Sequence, residues 1–184
     1  MKISKKMKML FIIAVALGFA GNALAQNKKA TNYEQGFRLG FGLSGGYVFD
    51  DPYDFALGAD ARIQYDLSKR YSITLTTGFT NMFVTGKKND LGFIPVKAGF
   101  KGFFWEDQFY AMGEAGAGFA VTNGYDQTSL ILAPSIGYAN KYFDVSLRYE
   151  YYSAFPVVKT NGLNSVLGEG TGQLAIRLAY GFKL

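Results

Sequence analysis

From Gly36 onward the chain alternates apolar and polar residues with a period of two. Phe37, Leu39, Phe41, Leu43, Tyr47 and Phe49 interleave with Arg38, Gly40, Gly42, Ser44, Gly46 and Val48. Phe55, Leu57, Ala59, Ala61, Ile63, Tyr65 and Leu67 interleave with Ala56, Gly58, Asp60, Arg62, Gln64 and Asp66. Alternation of this kind places one apolar face on an extended strand. Six more runs follow the same rule, over 71–83, 94–104, 109–121, 130–138, 143–151 and 174–184. No stretch shows a helical period. The pattern predicts an all-β chain of about eight strands.

The connections predict how those strands join. Leu67 to Arg70, Trp105 to Gln108 and Ala139 to Tyr142 are tight. Asp50 to Asp54 is intermediate, while Val84 to Gly92, Thr122 to Ser129 and above all Ser153 to Gly170 are longer. Short turns at one end, longer loops at the other and an even strand number describe a closed antiparallel up-and-down transmembrane β-barrel.

Alternation alone does not say which face is outside, but the contents of the faces do. The apolar faces carry no charge. The opposite faces carry Arg38, Asp60, Arg62, Asp66, Lys97, Lys101, Glu114, Asp144, Arg148, Glu150, Arg177 and Lys183, set among glycines, serines and threonines. A soluble barrel would cover its wet face with long Lys and Glu. A narrow lumen needs small residues to make room for a few large ones. The charged face is therefore expected inside and the apolar face outside, with aromatics near the strand ends at headgroup level.

The leader changes the charge picture. Met1 to Lys8 is basic, Met9 to Gly21 is apolar but short for a bilayer span, and Ala23-Leu24-Ala25 is an A-x-A site. Residues 1–25 are expected to be a Sec-type signal peptide cleaved between Ala25 and Gln26, and residues 26–35 a flexible arm before the barrel at 36–184. The formal charge of +5 then falls to +1, because Lys2, Lys5, Lys6 and Lys8 leave with the leader. Nucleic acid is not expected as a partner, since the basic footprint such binding needs is gone.

The chain has no Cys and no His. Disulfides, zinc-thiolate sites and Cys or His nucleophile chemistry are excluded, and a Ser or Tyr beside Glu114 would lack its usual base. No enzyme activity, cofactor or metal is expected. Gly40-Phe41-Gly42-Leu43-Ser44-Gly45 fits G-x-G-x-x-G, but its glycines fall inside a strand with no helix after them, so it is not read as a dinucleotide site. Asp50, Asp51 and Asp54 read as a solvated turn rather than a Ca²⁺ loop. Lys87-Lys88-Asn89-Asp90 reads as a loop tip that lipopolysaccharide phosphate could touch.

The informative constellation is the inward charges Asp60, Arg62, Lys97, Lys101, Glu114, Arg148, Glu150 and Arg177. Buried charges must pair or be hydrated, and eight strands enclose little more than side chains. A salt-bridged plug is the favoured reading and a selectivity ring or gate the alternative. Arg62, Arg148 and Arg177 are the expected partners of Asp60, Glu114 and Glu150.

Several segments resemble the small eight-stranded outer-membrane barrels of Gram-negative bacteria, especially the short β-barrel family of the Bacteroidetes. They are Ala25-Gln26 at the cleavage site, IPVKAGFKGFF at 94–104, YAMGEAGAGF at 110–119, APSIGY at 133–138 and LAIRLAYGFKL at 174–184. The resemblance implies an outer-membrane location and insertion by assembly machinery that reads a terminal aromatic. Here the last residue is Leu184, with Phe182 on the same face. It says little of activity, since the architecture hosts many.

The expected function is a non-enzymatic outer-membrane protein with a structural or surface-contact role. It would be a monomer in contact with lipid and lipopolysaccharide, and loop 153–170 would meet an extracellular partner. The alternatives are a porin-like channel for small solutes and a soluble periplasmic ligand-binding barrel.

Overall fold

The computed structural model describes residues 36–84, 89–104, 108–122, 127–161 and 164–184, with the side chains of 158–168 outside the description. The expected signal peptide, its cleavage site, the arm, and Lys87 and Lys88 lie outside the described residues.

Eight strands follow one another: β1 (Phe37–Val48), β2 (Tyr53–Asp66), β3 (Tyr71–Val84), β4 (Leu91–Phe104), β5 (Phe109–Ala120), β6 (Thr128–Ala139), β7 (Phe143–Asn161) and β8 (Asn164–Lys183). Each pairs antiparallel with the next, and β1 pairs with β8 to close the barrel. Phe41, for example, lies opposite Ala61 on one side and Tyr180 on the other. Closure leaves no unpaired edge along the barrel wall, the condition under which strands can stand in hydrocarbon.

Local chemistry makes the short turns. Ser68 Oγ accepts the backbone N–H groups of Arg70 and Tyr71 at 3.2 and 3.1 Å. Asn140 Oδ1 accepts those of Tyr142 and Phe143 at 2.9 and 2.8 Å. Such side chains satisfy turn amides that the ladder has released.

The faces divide as the alternation predicts. Leu43, Leu57, Ile63, Leu75, Leu132, Leu147, Ile176 and Leu178 are exposed around the outside, while Arg62, Gln64, Thr76, Lys97, Glu114, Arg148 and Arg177 are buried within. Outward rings collect in two belts. Phe55 stacks on Phe83, and Phe49 on Tyr149, at the end of the longer connections. At the opposite end Tyr71 stacks on Phe100, Tyr142 on Tyr180, and Phe109 meets Tyr138 edge-on.

The segment expected as a loop, 153–170, is a β-hairpin instead. Pairing continues from Pro156 opposite Glu169 to Asn161 opposite Asn164, beyond a register shift between Tyr152 and Pro156. A bulge is where a strand tolerates proline and gains a residue. It also changes parity: Arg148, Glu150 and Tyr152 face inward before it, Phe155 and Val157 after it. Across the hairpin Gly170 has a φ of 91°, a conformation that side chains other than glycine rarely adopt.

Candidate functional site

The lumen has two zones. Toward the longer connections it is apolar: Val48, Tyr53, Met82, Leu91, Phe93, Ile131, Tyr152, Phe155 and Val157 form one buried cluster. Phe93 packs on Phe155 and Tyr152 with ring centres 4.9 and 5.4 Å apart. This cap departs from the expected polar inner face. Its members lie in the parts of the strands nearest the longer connections, and Phe155 and Val157 lie past the bulge in β7.

Below the cap the lumen is charged, and the ion pairs cross it. Arg62 on β2 donates through Nη2 to both carboxylate oxygens of Glu114 on β5, at 3.2 Å each. Thr76 ties the pair, accepting from Arg62 Nε at 2.9 Å and donating to Glu114 Oε1 at 2.7 Å. Arg148 on β7 donates to Glu150 at 3.1 Å, with its Nε 3.9 Å from Glu114 Oε2. Lys97 on β4 is bonded to Glu150 on β7. Glu150 also accepts from Gln173 and, at 2.8 Å, from Tyr152 Oη. Arg177 on β8 donates through Nε to Asp60 Oδ2 at 2.8 Å, and its guanidinium lies across Gly42, where an added Cβ would sit 2.7 Å from Cζ.

Toward the short turns, Lys101 Nζ and Tyr110 Oη each donate to Asp144 at 2.7 Å. Lys101 Nζ lies 3.7 Å from the centre of the Tyr110 ring. Arg38 and Asp66 pair at 2.8 Å at the rim, where Arg38 is 39% exposed. Lys183 is exposed.

The eight inward charges singled out in the sequence thus fall into two bonded sets, Arg62, Glu114, Arg148, Glu150 and Lys97 in one and Asp60, Arg177 and Lys101 in the other. Asp144 joins the second set as the partner of Lys101 and a neighbour of Arg177. It lies on the polar face in the sequence, but only the stagger between strands brings it to Lys101. Apart from these charges, Asp50 accepts from Thr171 at 3.0 Å, and Asp90 from Asn81 at 3.3 Å and from the Val84 amide at 3.1 Å. Among the described residues no group of three or more His, Cys, Asp or Glu side chains is arranged to hold a metal ion.

No protein-family model and no curated protein matches the chain. Solved structures match its shape. Ail, the attachment invasion locus protein of Yersinia pestis, superposes with a TM-score of 0.54 at 18% identity, covering 81% of this chain and 100% of Ail. Ail in complex with the heparin analogue sucrose octasulfate gives 0.53 at 18% identity, covering 82% and 100%. The N-terminal β-barrel domain of Pseudomonas aeruginosa OprF gives 0.53 at 10% identity, covering 81% and 100%. The chain has the fold of small outer-membrane barrels: eight antiparallel strands, closed.

Proposed function

We propose that the chain is a non-enzymatic outer-membrane barrel that stands in lipid by its apolar outer face and meets its partners at the β7–β8 hairpin. The observation that carries this is the uncharged belt of exposed Leu, Ile, Phe and Tyr around a closed barrel. In water such a surface would far exceed the apolar patch a soluble monomer tolerates. The strands, at 12 residues or more, meet the roughly 9–11 that a tilted transmembrane strand needs.

In this reading residues 1–25 direct export and are removed between Ala25 and Gln26, after an Ala23-x-Ala25 site. Residues 26–35 form the arm, and the barrel belongs with the Bacteroidetes-type short barrels. It is inserted by the outer-membrane assembly machinery and stands as a monomer among lipid and lipopolysaccharide. The hairpin supports a surface-contact role, because it carries paired backbone beyond the neighbouring strands β6 and β1.

The ion-paired lumen and its apolar cap support a sealed barrel over a porin-like one. Planar-bilayer recording tests this. The refolded protein is expected to give no steady conductance. Arg148→Ala, which removes bulk and one of the two cations beside each of Glu114 and Glu150, is expected to be less heat-stable and, if it changes, leakier. A large steady wild-type conductance would promote the transport reading.

A further inference from the structure

The lumen charges do not balance. Among the described residues, Arg62, Lys97, Lys101, Arg148 and Arg177 point into it below the cap, against Asp60, Glu114, Asp144 and Glu150. Arg38 and Asp66 offset each other at the rim. One positive charge is left over in a space where an uncompensated charge costs several kcal/mol.

Several of the unpartnered buried polar atoms lie where that surplus would be met. Arg62 and Arg148 are 4% and 3% exposed, and both reach Glu114. Arg62 Nη1 and Arg148 Nε and Nη2 have no hydrogen-bond partner among the described residues. Arg148 Nε, 3.9 Å from Glu114 Oε2, is beyond hydrogen-bond range. Ser135, directly opposite Arg148 across the β6–β7 ladder, also has an unpartnered buried hydroxyl. The three guanidinium positions can only donate, and the hydroxyl can donate as well.

Donors without acceptors, beside one surplus positive charge, call for an anion. Water would satisfy the N–H groups but leave the charge. A divalent oxyanion would overcompensate it and crowd the Glu114 carboxylate. A cation is refused by the two guanidinium groups.

We propose that the lumen holds a small monovalent anion of the halide class between Arg62 and Arg148, within reach of the Ser135 hydroxyl. Its route of entry is the short-turn end, since the apolar cluster closes the other. The site belongs to the lumen and does not depend on which partner the barrel meets outside.

Bromide is the probe. Crystals of the refolded protein grown in sodium bromide, measured at the bromine absorption edge, are expected to show an anomalous peak between the two guanidinium groups. In detergent, the thermal midpoint is expected to rise when sodium gluconate is replaced by sodium bromide at equal ionic strength. Arg148→Gln, which removes the surplus charge, is expected to lose that difference. Absence of a lumen peak overturns the proposal whether or not the variant folds. An equal wild-type midpoint in the two salts also overturns it, and means that water or loss of a proton meets the surplus.

Discussion

Arg62 and Glu114 stand on β2 and β5, strands that share no ladder, and yet Arg62 Nη2 lies 3.2 Å from both oxygens of the Glu114 carboxylate. The pair fastens opposite walls of the barrel through its interior, where β-sheet hydrogen bonds cannot reach. Removing one partner leaves the other charged and buried, a loss of about 3–5 kcal/mol. Glu114→Leu and Arg62→Met are each expected to lower the unfolding midpoint strongly in denaturant titrations of the refolded barrel. The double variant is expected to lose less than the two single losses combined, because it strands neither partner. Additive losses would show that the two residues act independently.

The outer face gives a second test. Ile63→Arg and Leu147→Arg place a charge on the exposed apolar belt, at a cost of roughly 2–4 kcal/mol near the bilayer midplane. Gln64→Arg places the same charge inside, beside Asp66, which now accepts from Gln64 Nε2 at 2.6 Å. The first two are expected to impair membrane assembly far more than the third, measured as the folded fraction recovered in vesicles. Equal tolerance of all three would mean that the faces are reversed.

Gly42 is the floor on which Arg177 lies. A Cβ there would meet the guanidinium at 2.7 Å and push it off Asp60. Gly42→Val is expected to destabilise by about 1–3 kcal/mol, the usual range for overpacking. At Gly45 the nearest atoms to an added Cβ are ordinary neighbours at 3.5 Å, so Gly45→Ala is expected to change little. Comparable losses in thermal unfolding would show that the space over Gly42 has no special part.

The cap is open to truncation. Phe155 is fully buried against Phe93 and Tyr152. Phe155→Ala should leave a cavity and cost about 3–5 kcal/mol. Solute leakage from vesicles carrying the variant is expected to exceed that of wild type. Unchanged stability would place the barrel's resistance elsewhere.

Strand number was legible because side chains alternate strictly along a strand, so Ile63 and Gln64 had to part company whatever their neighbours. Order was legible from the alternating lengths of the connections, and facing from the confinement of charge to one face. The 153–170 hairpin was not. Its Asn and Gly residues read as a loop, and the bulge before Pro156 breaks the parity that would have joined Tyr152 to Phe155. The cap was hidden for the same reason: Phe93 sits one residue ahead of the alternation that begins at Ile94, and Tyr152 one residue past its end at Tyr151. The inward charges could be named but not matched. Lys101 meets Asp144, and Lys97 meets Glu150, because strand stagger brings them to one height, and stagger leaves no mark on a single strand's pattern.

The contact between the apolar belt and lipid is tested most directly by fluorescence quenching. Trp105 is the chain's single tryptophan. In a Trp105→Phe background, Leu147→Trp puts one indole on the middle of the outer belt. After refolding into vesicles of lipids brominated along their chains, that indole is expected to lose most of the fluorescence it shows in unbrominated vesicles. Emission that is the same in both would contradict a barrel standing in lipid by its apolar face.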